Sequence, residues 1–286
     1  MRENKMNVLN NFFTRNTFHC CFQNGTADFY EAVIQRYIKE SKGKSNAELI
    51  AEIYSVMKRE YRNEYYYKNT LLNKLLLGIH SISTTTALSE LTIDKSKADF
   101  VLINGKAVVY EIKTELDNFN RLISQVENYY KAFDHVAVVT CREKISELSD
   151  IIAKTGLPIG IYVLQKNASI KTVCKPQRFD DLIDSGIMFK VLRKSEYENI
   201  LLSQYGSLPV VSDFKYYSIC KDLFEKIPKK KAYELLLLQL KNRIKVMRTN
   251  FDNMPYELKF LAYFMQMKNS EYSRAMTFLN SCYRGG

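Results

Sequence analysis

From Asp28 to Lys39 and again from Asn46 to Lys58, apolar residues recur at helical spacing, with Ala47, Ile50, Ala51, Tyr54 and Met57 on one stripe. Ser45 followed three residues later by Glu48 has the form of a capping box, and the polar SKGKSN segment (41–46) reads as the break between the two helices. A third helix is expected from Asn63 to Leu77, closed by Gly78. At Thr84 the period changes. TTALSELTI, ADFVLI, AVVYEIKT, HVAVVT and IGIYVL are short apolar and β-branched runs, and the helical stripes FNRLISQVENYYKAF and EKISELSDIIAK separate the last three. This order predicts an antiparallel hairpin followed by crossover connections into a mixed sheet.

Beyond Pro176 only PVVS, near Pro209, reads as a strand. Helical stripes occupy 195–204, 216–226, 232–248, 257–268 and 271–283. The expected organisation is a helical N-terminal segment at 1–60, an α/β core at 61–167 with a mixed sheet flanked by helices, and an all-helical C-terminal domain at 168–286.

Composition narrows the class. With 286 residues, 46% hydrophobic and 26% charged, the chain is an ordinary globular one, neither disordered nor fibrous. Its longest apolar stretches, such as Leu235 to Leu238, fall far short of the roughly 18–20 residues that span a bilayer, and MRENKMNVLNNFF does not read as a secretory signal, so the expected compartment is the cytoplasm, with no membrane partner. Six scattered cysteines without a CxxC spacing read as idle thiols, and the His19-Cys20-Cys21 cluster has no second ligand pair for zinc.

Lys and Arg exceed Asp and Glu by 42 to 31, a formal charge of +11, which makes nucleic acid the first partner to consider. Lys229, Lys230 and Lys231, and the series Lys241, Arg243, Lys245 and Arg248, are candidate phosphate contacts, although a solvated helix face explains the same residues. Twenty tyrosines interleaved with lysine suit base stacking or a protein interface, so a protein partner or self-association through the C-terminal helices is the other expectation.

The most informative stretch joins Lys97-Ala98-Asp99-Phe100, a turn at Asn104-Gly105, and Tyr110-Glu111-Ile112-Lys113. Residues two apart on a strand share a face, so Glu111 and Lys113 project together. A two-residue Asn-Gly loop would pair Ile103 with Lys106 and turn Asp99 to the opposite face. A three-residue loop ending in Gly105, left-handed and with a G1 bulge, shifts the register by one and returns Asp99 to the face of Glu111. Two neighbouring carboxylates suit a hard divalent cation, and a lysine beside them can orient water or stabilise developing negative charge.

Asp99-x(11)-Glu111-x-Lys113 across a hairpin, preceded by a helix and followed by helix and strand, resembles the PD-(D/E)XK nuclease superfamily, nearest its Holliday-junction-resolvase-like and RecB-like branches. Gln125 and Tyr129, at i and i+4 in QVENY, are similar to the QxxxY motif of RecB-type nucleases. The usual proline before the aspartate is Ala98 here. The resemblance spans roughly 63–165 and implies a restriction-endonuclease-like core with Mg²⁺ or Mn²⁺ held by Asp99 and Glu111, Lys113 positioning water, and Gln125 and Tyr129 steadying the substrate. It also implies an acid from the first core helix, for which Glu64 fits best, with Glu60 and Glu90 as rivals. The implied activity is metal-dependent phosphodiester hydrolysis, of DNA before RNA, in a setting such as phage defence. The alternative is a nucleic-acid-binding or protein-interaction module that keeps the fold without turnover. His80 and His135 read as structural.

Overall fold

A computed structural model describes residues 8–24, 28–78, 82–244 and 248–284. In chain order, α1 (Arg15–Asn24), α2 (Asp28–Tyr37), α3 (Asn46–Glu60) and α4 (Glu64–Leu71) come first, and a π-helical turn, Leu72–Leu77, continues α4. The strands β1 (Thr86–Ile93), β2 (Ser96–Asn104) and β3 (Lys106–Lys113) follow. Then come α5 (Leu122–Tyr130), β4 (Val136–Thr140), α6 (Ile145–Ala153), β5 (Gly160–Leu164) and β6 (Ile170–Cys174). After the sheet lie α7 (Ser185–Val191), α8 (Lys194–Tyr205), α9 (Asp213–Glu225), α10 (Lys229–Lys241), α11 (Arg248–Asp252), α12 (Lys259–Met265) and α13 (Asn269–Asn280).

The fold is α/β, built on one six-stranded mixed sheet in the order β1-β2-β3-β4-β5-β6. β1, β2 and β3 are antiparallel neighbours, β3, β4 and β5 run parallel, and β6 returns antiparallel along β5. The parallel pairs are joined through α5 and α6, as crossover connections require. One face of the sheet, carrying Val101, Ile103, Val109, Val138 and Ile161, forms a continuous apolar core with Leu122 and Val126 of α5, Met188 and Phe189 of α7, and Leu236 and Leu240 of α10. On the other face Phe100, Tyr110 and Tyr162 make a row of aromatic contacts across the strands.

The chain divides into two compact units, 1–82 with 245–286, and 83–244. The boundaries expected from the sequence, at 60/61 and 167/168, do not coincide with these. Residues 168–244 are not part of a separate helical domain, because they contribute β6 and the helices that complete the sheet's core. The last helices instead join those at the start of the chain. Asn46, buried at the first residue of α3, shows how: its side-chain amide donates to the carbonyl oxygens of Phe278 and Ser281, and its Oδ1 accepts from the Tyr30 hydroxyl.

Locally the capping box at Ser45 and Glu48 is present. Asn63 caps α4 through its side chain. Gly78 does end that helix, but in a right-handed conformation; a Cβ there would lie 2.6 Å from the Lys74 carbonyl oxygen, so close approach is what excludes a side chain. PVVS forms no strand, and Val210 is fully exposed. No helix among the described residues is long and apolar enough to cross a membrane.

Candidate active site

The hairpin of β2 and β3 sets the geometry. Ile103 pairs with Ala107, Asn104 with Lys106 and Phe100 with Tyr110, so the loop is the three residues 104–106, with Gly105 at its centre in the left-handed region (φ +70°). This is the odd register that the site needs. Carried one step past Phe100 and Tyr110, it sets Asp99 against Glu111, on the face covered by α5. There the carboxylate Oδ2 of Asp99 accepts the Ile112 N–H at 2.7 Å. The β1–β2 register, with Ser89 opposite Phe100 and Leu91 opposite Ala98, brackets Glu90 against Asp99 in turn. Glu90, Asp99 and Glu111 therefore occupy one lateral row across three adjacent strands. Glu90 adopts φ +57°, which L-residues rarely adopt, and one of its carboxylate oxygens lies within 4.8 Å of one from Asp99.

Glu111 is only 2% exposed, and a carboxylate so buried requires compensation. Its Oε1 accepts from Lys113 Nζ at 2.8 Å and from Gln125 Nε2 at 2.7 Å, and its Oε2 accepts from the Tyr129 hydroxyl at 2.5 Å. Lys113 Nζ also donates to Gln125 Oε1 at 2.9 Å. Gln125 and Tyr129 sit one turn apart on α5, which is why one helix face clamps both carboxylate oxygens. The Tyr129 hydroxyl shares its single proton between Glu111 and the Lys97 carbonyl oxygen, 2.9 Å away. Burial, followed by the negative charge of Glu111, pushes its pKa far above the ordinary phenol value, so it remains a donor at any working pH.

An ionised carboxylate offers about four acceptor positions, and three donors on Glu111 leave one. A Glu90–Asp99 oxygen separation within 4.8 Å leaves room for both to approach one Mg²⁺ ion, which takes oxygens at about 2.0–2.1 Å. Oxygen-only donors at that spacing fit a hard divalent cation.

The structure brings together Asp99, Glu111, Lys113, Gln125 and Tyr129, all within the 83–244 unit. Glu64 belongs to the other unit, exposed in the first turn of α4 and paired with Lys68 at 2.5 Å. Glu60, also exposed, pairs with Arg59. Lys229, Lys230 and Lys231 form the first turn of α10; Lys229 donates to the Ile183 carbonyl oxygen and Lys231 lies 3.8 Å from Glu234. Arg243 is not available to phosphate. Its guanidinium is buried against Glu196, with contacts of 2.5 and 2.6 Å, and donates to the Val191 carbonyl oxygen. Lys245 and His80 lie outside the described residues. His135 is buried, its Nδ1 2.7 Å from Asp134, which also accepts from Tyr233.

The family model for bacteriophage P4 protein cII matches residues 57–262, most of the chain. The chain belongs to the bacteriophage P4 cII family. Protein cII of Enterobacteria phage P4 is 25% identical over 174 residues, an alignment that covers 59% of this chain and 64% of that protein, so less than two thirds of the relative's length is matched. A protein of unknown function from Silicibacter pomeroyi is similar at 11% identity and a TM-score of 0.28, over 46% of this chain and 87% of the other. The cII-family match contains every residue of the row and of the α5 clamp.

Proposed function

We propose that this cII-family chain is a metal-dependent nuclease that hydrolyses phosphodiester bonds, in DNA before RNA. The observation that carries the proposal is the ammonium group of Lys113, fixed between Glu111 and Gln125 beside the carboxylate row. Asp99 and Glu111, with Glu90 next to Asp99, would hold Mg²⁺ or Mn²⁺, which when bound supplies Lewis acidity to a phosphate oxygen. Lys113 has three N–H donors, of which Glu111 and Gln125 take two. The third orients the attacking water or a phosphate oxygen and offsets the negative charge that grows in the transition state. Gln125 and Tyr129 keep both groups in place and steady the substrate. The resemblance also assigns metal binding to Glu64, and separate Glu64→Gln and Glu90→Gln variants decide which acid the cation depends on.

The lysines at the start of α10 belong to the proposal as phosphate contacts: three cations where the helix dipole disfavours positive charge are best compensated by an anion. The work is placed in the cytoplasm, in agreement with six free thiols. A protein partner or self-association through the helices after the sheet is proposed as well, and the almost fully exposed Val210 and Phe214 mark a place for it. One observation favours the second reading, a binding module without turnover: donors from this chain already engage both oxygens of Glu111. Plasmid, single-stranded DNA and RNA incubated with pure protein in Mg²⁺, Mn²⁺ or EDTA separate the readings. Cleavage that EDTA abolishes is the expected result, and binding without cleavage of any substrate would establish the second.

A further inference from the structure

Between Asp150 and Asp180 the chain carries Lys154, Lys166, Lys171, Lys175 and Arg178 and no acidic residue. The structure concentrates this run on the β5–β6 hairpin. β6 is the last strand of the sheet, and four of its five residues, Lys171 to Cys174, are exposed. Arg178 is taken up by Asp180 and lies 3.6 Å from Asp134, whereas Lys166, Lys171 and Lys175 have no ion-pair partner among the described residues. The turn at 165–169 is a defined one: Ser169 donates to the side chains of Gln165 and Asn167, and Ala168 sits at φ +65°.

The register ties this edge to the site. Lys113 pairs with Thr140, Thr140 with Val163, and Val163 with Lys171, so Lys113 and Lys171 lie in one lateral row and on one face. Three strand spacings separate them, about 14 Å. β3, β4 and β5 run parallel, so the β5–β6 turn with Lys166 projects from the same end of the sheet as Lys113. Lysine on an edge strand also guards against strand addition. That role accounts for Lys171 but not for Lys166 in the turn.

We infer that the β5–β6 hairpin is a phosphate-backbone rail, on which Lys166 and Lys171 contact a nucleic acid strand whose scissile phosphate lies at Lys113. About 14 Å corresponds to about four nucleotide steps at 3.4 Å rise per strand. The inference rests on nucleic acid being the substrate of the Asp99–Glu111–Lys113 site. Its contacts are to backbone and carry no base specificity.

The test is fluorescence anisotropy with a labelled 20-nucleotide DNA, single-stranded and duplex, in EDTA between 50 and 200 mM salt. Lys166 and Lys171 are both replaced by Gln, or both by Arg. Two lost phosphate contacts should make the plot of log affinity against log salt shallower by about 1.4 to 1.8, and the Arg variant should bind as wild type does. Thermal melting checks that each variant is folded, and Lys229, Lys230 and Lys231 replaced together by Gln give the comparison surface. Unchanged affinity and slope in the Gln variant would overturn the inference, as would wild-type protein that binds neither DNA, or a change in oligomeric state in place of DNA affinity. Cleavage by wild type in Mg²⁺ is scored separately. A cleaving enzyme indifferent to the hairpin lysines loses only the rail, and a non-cleaving protein that needs them keeps the rail as a binding surface but loses the nuclease reading and with it the scissile phosphate at Lys113.

Discussion

Glu111 and Lys113 touch each other, yet the proposed chemistry asks different things of them, and substitution separates the two. Glu111→Gln removes charge from a cation site, so calorimetric Mn²⁺ affinity and cleavage should fall together. Lys113→Ala should lower the cleavage rate by about 10² or more while Mn²⁺ and DNA binding stay close to wild type, because its contribution is to the transition state. Wild-type rates in both variants would reduce the constellation to a buried polar network. Arg243 and Glu196 form the contrasting pair, 6% and 10% exposed. Burial pushes the Glu196 carboxyl up, but hydrogen bonds from Arg243 and from the Arg193 N–H, with the guanidinium charge, outweigh it and hold the pKa below the ordinary value. A lowered folded pKa means stability that is present above the unfolded value, about 4.3, and lost as pH falls through the folded one. Arg243→Ala should cost about 3–5 kcal/mol at pH 7 by urea unfolding, with a smaller deficit near pH 3.5. A deficit independent of pH would dissociate the pair from the effect. Strand period put Glu111 and Lys113 on one face and helix period put Gln125 and Tyr129 one turn apart, but Asp99 stayed open between two loops, and only the resemblance to PD-(D/E)XK nucleases joined the five. Arg243 was not legible, because a basic residue that faces inward leaves no mark on a count of charges.

At the scale of elements, the strands from β1 to β5 were readable from apolar and β-branched runs bounded by turn residues. β6 was not: IKTVC is mostly exposed and has no buried face to generate an apolar pattern. The register of the β2–β3 hairpin was open between two loops, since Asn-Gly is compatible with both a two- and a three-residue connection. What decides it is the packing of alternate residues on two already buried faces, Val101 and Val109 on one and Phe100 and Tyr110 on the other. The loop therefore follows the strands, and Gly105 is there to permit it. A Cβ at Gly105 meets nothing within 4 Å, so Gly105→Ala carries only the backbone cost of the left-handed conformation, about 1–2 kcal/mol. Urea midpoints should fall by that amount with Mn²⁺ affinity unchanged. Loss of Mn²⁺ binding in a folded Gly105→Ala protein would show that the loop, not the strand faces, holds the register.

For the whole molecule, local pattern could name the C-terminal helices but not their partners, because an apolar stripe records that a face is buried and not against what. A boundary at 167/168 follows the change of period from mixed to helical. The actual units cut across it, since α7 and α10 supply Met188, Phe189, Leu236 and Leu240 to the core of the sheet. In the other unit, chain ends far apart in sequence are joined by backbone: Asn46 N–H donates to Ser281 and Tyr283 N–H to Lys44. Each unit thus closes most of its contacts within itself, the usual condition for independent folding. A fragment of residues 83–244 should unfold cooperatively in urea with native-like near-ultraviolet dichroism. One of residues 61–167, with the sheet's apolar face stripped of α7 and α10, should aggregate or show no cooperative transition. In the full-length chain, Asn46→Ala leaves the Tyr30 hydroxyl and the Phe278 carbonyl without this partner in a buried setting, which costs about 1–3 kcal/mol. Hydrogen exchange should then quicken in α2, α3 and α13 while β2 to β5 keep their protection. Equal loss of protection in the sheet would mean that the two units unfold as one.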